Sequence, residues 1–170
     1  MIRLVDLLKE IGEGTAKPYD YKLVADVSGD AIYYTFTTDP NPDKAFTVNG
    51  ITHLSPGTDY EVDLRYWDLE KNVRSSTNLD VAFSTHGGEY EEETNDNMQY
   101  RIMATVVAIV KEALSKHPEV TTLSFTPAKA DKMDARRTRF YKAYMQKQIP
   151  NSTVTELKGD GFKVTLKSNN

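Results

Sequence analysis

The spacing of apolar side chains along this chain switches between a helical and a strand repeat, and each switch marks an element. Ile2, Val5 and Leu8, joined by Leu4 and Ile11, fall on one stripe at three- to four-residue spacing, which predicts a short amphipathic helix ended by Gly12 and Gly14. From Tyr19 the repeat drops to two. Tyr21, Leu23, Ala25 and Val27 alternate with polar residues up to Ser28-Gly29-Asp30, and Ile32, Tyr34 and Phe36 resume the alternation, a hairpin signal. A third strand is expected at residues 45–49, after a rigid turn formed by Asp39-Pro40-Asn41-Pro42-Asp43. The fourth, at 60–66, sets Tyr60, Val62, Leu64 and Tyr66 against Asp59, Glu61, Asp63 and Arg65, so its charged face must be wet or paired with basic residues. A fifth strand is expected at 79–83.

Past residue 97 the helical repeat returns. Met98, Ile102, Thr105, Val106, Ile109, Val110 and Ala113 keep one face over about five turns, and Pro118 stops the helix. Residues 120–125 read as a buried strand. Asp131 or Asp134 can cap a further helix running to about Gln148, with Met133, Phe140, Tyr141, Tyr144 and Met145 inward, and Pro150 ends it. Residues 154–157 and 162–166 make a closing hairpin. The expectation is one α+β domain over residues 1–170, a mixed and mostly antiparallel sheet with three helices.

Charge divides this single domain. Residues 1–95 hold 8 Lys and Arg against 18 Asp and Glu, a net of −10; residues 96–170 hold 13 against 7, a net of +6. The basic excess concentrates between Lys129 and Lys147, where seven basic residues meet two acidic ones. Such a split fits either internal neutralisation, with Asp59, Glu61 and Asp63 as available partners, or a basic face turned toward an acidic partner. The outward residues Lys132, Arg136, Arg137 and Arg139 are the candidate binding set. The absence of cysteine excludes disulfides, thiolate nucleophiles and Cys-ligated zinc. The apolar runs are too short for a signal peptide or a membrane span of roughly 20 residues, so no membrane association is expected.

The order helix, antiparallel strands, helix, strand, helix, strand, strand resembles the GNAT family of N-acetyltransferases, most of all over residues 79–166. The resemblance implies a GNAT-like topology, acetyl-CoA as cofactor, and Tyr141, in Arg139-Phe140-Tyr141, as the general acid. The family's glycine-rich pyrophosphate-binding turn would fall at residues 86–97, His86-Gly87-Gly88-Glu89-Tyr90-Glu91-Glu92-Glu93-Thr94-Asn95-Asp96-Asn97, where five acidic residues oppose a doubly charged anion. The expectation is therefore an acetyltransferase-like scaffold without catalysis and without a cofactor. The last 75 or so residues are also similar to small tailed-bacteriophage proteins, which share a phrase like Phe125-Thr126-Pro127-Ala128 and an Arg-x-x-x-Tyr helix, here Arg137 and Tyr141. That implies a viral protein in the host cytoplasm or the virion.

The function expected from these features is non-catalytic: a phage-type binding or structural protein that contacts an acidic protein partner or virion subunits through its basic helix. Acetyl transfer and nucleic-acid binding are the alternatives; for the latter, Tyr141 or Tyr144 could stack on bases beside the arginines. Asp39-x-Asn41-x-Asp43 lacks the glycine and closing glutamate of a calcium loop. His53, His86 and His117 have no ligand spacing and are expected at the surface, so no metal is expected.

Overall fold

The computed structural model describes residues 17–39, 41–55, 57–85, 96–125, 142–158 and 161–167. Among them the chain forms β1 (Tyr21–Val27), β2 (Ala31–Thr37), β3 (Asn41–Val48), β4 (Ile51–Ser55), β5 (Asp59–Asp68), β6 (Val73–Thr85), α1 (Asp96–Lys116), β7 (Thr122–Phe125), α2 (142–148), β8 (Ser152–Glu156) and β9 (Phe162–Leu166). Seven strands make one sheet in the order β1-β2-β5-β6-β7-β9-β8, and β3 and β4 pair separately. Only β6 and β7 run parallel, with α1 as the crossover between them; every other pairing is antiparallel.

Both helices lie on one face of the sheet. The step from β6 through α1 to β7 and the step from β7 through α2 to β8 advance across the sheet in the same direction, and crossovers of one hand place their helices on one side. The side chains agree: Tyr144 and Met145 of α2 share a single core with Val106, Ile109 and Val110 of α1 and with Ile32, Tyr34, Val62, Leu64, Leu79, Val81, Leu123 and Val164 of the strands. Lys111 Nζ reaches Gln148 Oε1 at 3.4 Å between the helices. Thr105, buried in α1, donates to the Arg101 carbonyl at 2.7 Å and accepts from the Tyr19 amide at 2.8 Å, so the approach to β1 is fixed on the helix.

The opposite face is polar. Register places Arg65, Asp80, Ser124 and Lys163 in one row across β5, β6, β7 and β9. The Ser124 hydroxyl donates to Asp80 Oδ1 at 2.9 Å and accepts from Asn78 Nδ2 at 3.1 Å. Burial pushes the Asp80 carboxyl above its ordinary value, against the pull of Ser124 and Arg65.

Several expectations need correction. Two helices, not three, occur among the described residues, and strand dominates at 52%; the expected amino-terminal helix lies outside them. Part of the added strand lies in the segment after β2. Asn41 opens a strand instead of completing a rigid turn, and Asn49-Gly50, at φ 51° and 77°, turns it back into β4. Two positive φ values in succession suit a tight two-residue hairpin, and Asn-Gly is the pair that tolerates them best. Strand β6 starts at Val73, well ahead of the expected 79. Asp59, Glu61 and Asp63 lie on the face of the sheet opposite the one that buries Tyr144 and Met145, and Asp63 pairs with Arg65 at 3.2 Å; the basic residues from 129 to 139 expected to neutralise them lie outside the described residues.

Candidate functional site

Lys132, Arg136, Arg137, Arg139 and Tyr141 all lie outside the described residues, as do residues 86–95. Of the basic segment the structure places Lys142, whose ammonium meets Glu156 Oε1 at 2.8 Å, and Lys147, which is exposed. Two other features emerge, one at each end of the sheet.

The first is built by a bulge. Tyr21 and Leu23 sit opposite Phe36 and Tyr34, but the register shifts before Ala25, which faces Tyr33, and Asp26 faces Ile32. One extra residue reverses the parity of the strand, so Asp26 turns to the helix side opposite Ile32, where the unshifted register would put Ala25. There it meets His117, which follows the last residue of α1: His117 Nε2 is 2.9 Å from Asp26 Oδ2. On its other edge His117 Nδ1 lies 3.0 Å from the Tyr66 hydroxyl and 3.2 Å from Glu119 Oε1, and Tyr66 donates to that same oxygen at 2.6 Å. His117 is thus half-buried and anchored on both edges, not a free surface histidine; its side chain is 16% exposed.

Burial, then the hydrogen bond to Glu119, raises the Tyr66 hydroxyl far above its ordinary value. The Tyr66 hydrogen bond is the leading cause that holds the Glu119 carboxyl below its usual range. The cluster floors an open cleft of about 360 Å³ whose rim carries Ser28, Arg74 and Ser75. Arg74 is paired with Asp30 at 3.2 Å. Among the described residues no group of three or more His, Asp or Glu could hold a metal ion. The geometry explains this here, since Asp26 and Glu119 stand at opposite edges of the imidazole and cannot converge on one ion.

The second feature is the β3–β4 arm. Residues 38–58 leave the sheet between the paired strands β2 and β5, and the root is closed by the Thr38 amide donating to the Thr58 carbonyl at 2.9 Å and the Thr58 amide donating to Thr38 Oγ1 at 2.8 Å. Gly57 belongs to this closure: a Cβ there would stand 1.7 Å from the Thr38 carbonyl oxygen. Next to the root, Arg101 of α1 binds Asp39, accepts contact from the Tyr19 ring at 3.8 Å, and donates Nε to the Lys17 carbonyl at 2.9 Å. Along the arm Phe46 opposes His53, Thr47 opposes Thr52, and Val48 opposes Ile51. Directly paired residues share a face, and faces alternate. Phe46, His53, Val48 and Ile51 therefore form one face, and Thr47 and Thr52, 3.2 Å apart at their hydroxyls, the other. The apolar face is open to solvent: Phe46 is 51% exposed, Val48 49% and Ile51 62%.

Neither feature is among the expectations from sequence. Asn49-Gly50 between two alternating runs did carry the signal for the arm, whereas nothing local marks a bulge at Val24. No helix of the described residues is long and apolar enough to cross a membrane. In comparisons with known proteins, no family model, no curated protein and no solved structure matches this chain.

Proposed function

We propose that the protein is a non-catalytic binding or structural module, of the kind expected for a phage, that grips another protein with the β3–β4 arm. The observation that carries this reading is the one-sided arm itself. A two-stranded hairpin is marginal alone in water, and this one leaves Phe46, Val48 and Ile51 uncovered on a single face while its root is fixed by Thr38, Thr58 and Arg101. Clustered exposed apolar groups on a rigid projection suit insertion into an apolar groove of a partner. The basic set Lys132, Arg136, Arg137 and Arg139 supplies a second contact in this reading, steering toward an acidic partner.

The test is site-directed photo-crosslinking in the host cell. A crosslinker at Val48, on the apolar face, should trap one defined protein, and one at Thr47, on the opposite face, should not. Equal trapping at both positions, or none at either, would refute the reading. Replacing Arg136 and Arg139 by glutamate should weaken capture of the same partner. A thermal shift with acetyl-CoA would instead favour an acetyltransferase, and salt-sensitive retention on a DNA column a nucleic-acid binder.

A further inference from the structure

Among the described residues the exposed large apolar side chains gather in two places. Phe46, Val48 and Ile51 project on the arm, Leu23, Val24 and Val27 belong to β1, and Val73 at the start of β6 is the exception. Register shows which way the β1 group turns. Ala25 pairs with Tyr33 and Val27 with Ala31, so these four share the face turned away from Ile32, Tyr34 and the core. The open face of the sheet, polar from β5 onward, is thus apolar at its β1–β2 corner. Val27 is 48% exposed there, and the bulge residue Val24 at the edge is 59% exposed.

We propose that two copies of this chain form a twofold dimer in which the apolar face of each arm packs on the β1–β2 corner of the other. This takes the arm as the grip and names the molecule it holds.

The chain carries both halves of such a contact, a projecting apolar face and a flat apolar corner. From Ala45 to Thr58 it has no Asp, Glu, Lys or Arg, so the arm brings no fixed charge onto the corner. Its acidic first half and basic second half also give each copy something to attract in the other. The bulge blunts β1 against edge-to-edge pairing, which leaves its face as the contact.

Area selects the twofold form. A half-exposed apolar side chain offers roughly 80 Å², so one arm on one corner, with Val24 and Val27 below it, buries on the order of 400 Å² of apolar surface. A stable interface takes at least about 1,200 Å² in all, a little over half of it apolar. Exchanging both arms doubles the contact and reaches that range. The arm leaves the sheet beyond Thr37, and the corner lies at Ala31, the far end of β2 about 20 Å away. Two copies with their β2 strands antiparallel therefore set each arm toward the other's corner, as an isologous contact requires.

The chain has no cysteine, so single substitutions report contacts without background. Full-length Val48→Cys and Val27→Cys, both at exposed positions, are mixed and treated with a short bis-maleimide. The mixed product should form, with about tenfold less when Thr47→Cys, on the other face of the arm, takes the place of Val48→Cys. Sedimentation across a concentration series should give a species of twice 19.2 kDa. Val27→Asp, which would bury an unpaired carboxylate, should weaken it by about tenfold or more. A monomer at every concentration, open chains longer than a dimer, or equal cross-linking from positions 48 and 47 would overturn the dimer. In that event a different protein trapped from Val48 in the host cell leaves the arm as a grip, and no protein trapped there removes both.

Discussion

Asp26 and His117 stand 91 positions apart in the chain and meet at 2.9 Å because β1 holds one residue more than the strand it pairs with. A hydrogen bond to a carboxylate contributes about 1.5 to 3 kcal/mol, and partial exposure of Asp26 places this one at the lower end. Asp26→Asn should therefore lower the unfolding free energy by about 1.5 kcal/mol near neutral pH in urea titration. Asp20→Asn, an exposed control, should change it by less than about 0.5 kcal/mol.

Met145 is fully buried and Gln146 beside it is exposed. Met145→Ala should cost about 2 to 5 kcal/mol through the cavity left between α2, α1 and the sheet, and Gln146→Ala less than about 0.5 kcal/mol. Equal effects from the two would mean that α2 does not dock by this face.

Gly57→Ala brings a methyl group against the Thr38 carbonyl, a backbone atom that cannot swing aside. The expected outcome is a loss of more than about 2 kcal/mol and fast amide exchange at Thr38 and Thr58, with the β5–β6 pairing still protected. The arm would then stay attached but lose its fixed direction.

At high pH the tyrosines facing Glu112 should limit stability. Burial first, and the Glu112 carboxylate second, push Tyr21 and Tyr34 up to about 12 from an ordinary 10.0. Both hydroxyls are favoured in their neutral form by folding, so this contribution is intact below pH 10 and is lost as pH rises toward 12. Tyrosinate absorbance should show a late-titrating class that Tyr21→Phe diminishes.

How much of this was legible beforehand depends on the range of each signal. The inner face of α1 was readable from its own repeat, and Ile102, Val106, Ile109, Val110 and Ala113 are all buried. Strands β2, β5, β7 and β9 were readable for the same reason. The arm is partly readable: the prolines at 40 and 42 point to a turn, while the Asn49-Gly50 pair between two alternating runs marks a hairpin. The His117 cluster was not readable. Its members lie in three separate stretches, and the parity change at Val24 that brings Asp26 inward depends on pairing with β2 and leaves no trace in local composition. The basic set that the sequence put forward lies outside the described residues.

The way the arm is rooted sets how the molecule bears load. Both of its ends run straight into β2 and β5, which are interior strands, flanked by β1 and β6. A pull on the arm is therefore delivered along the strands, and it must shear many rungs of the β1–β2 and β5–β6 ladders together instead of unzipping them singly. The β5–β6 ladder alone spans Tyr60 to Asp68. Force applied at the arm therefore meets these ladders lengthwise, the direction in which their hydrogen bonds are loaded together.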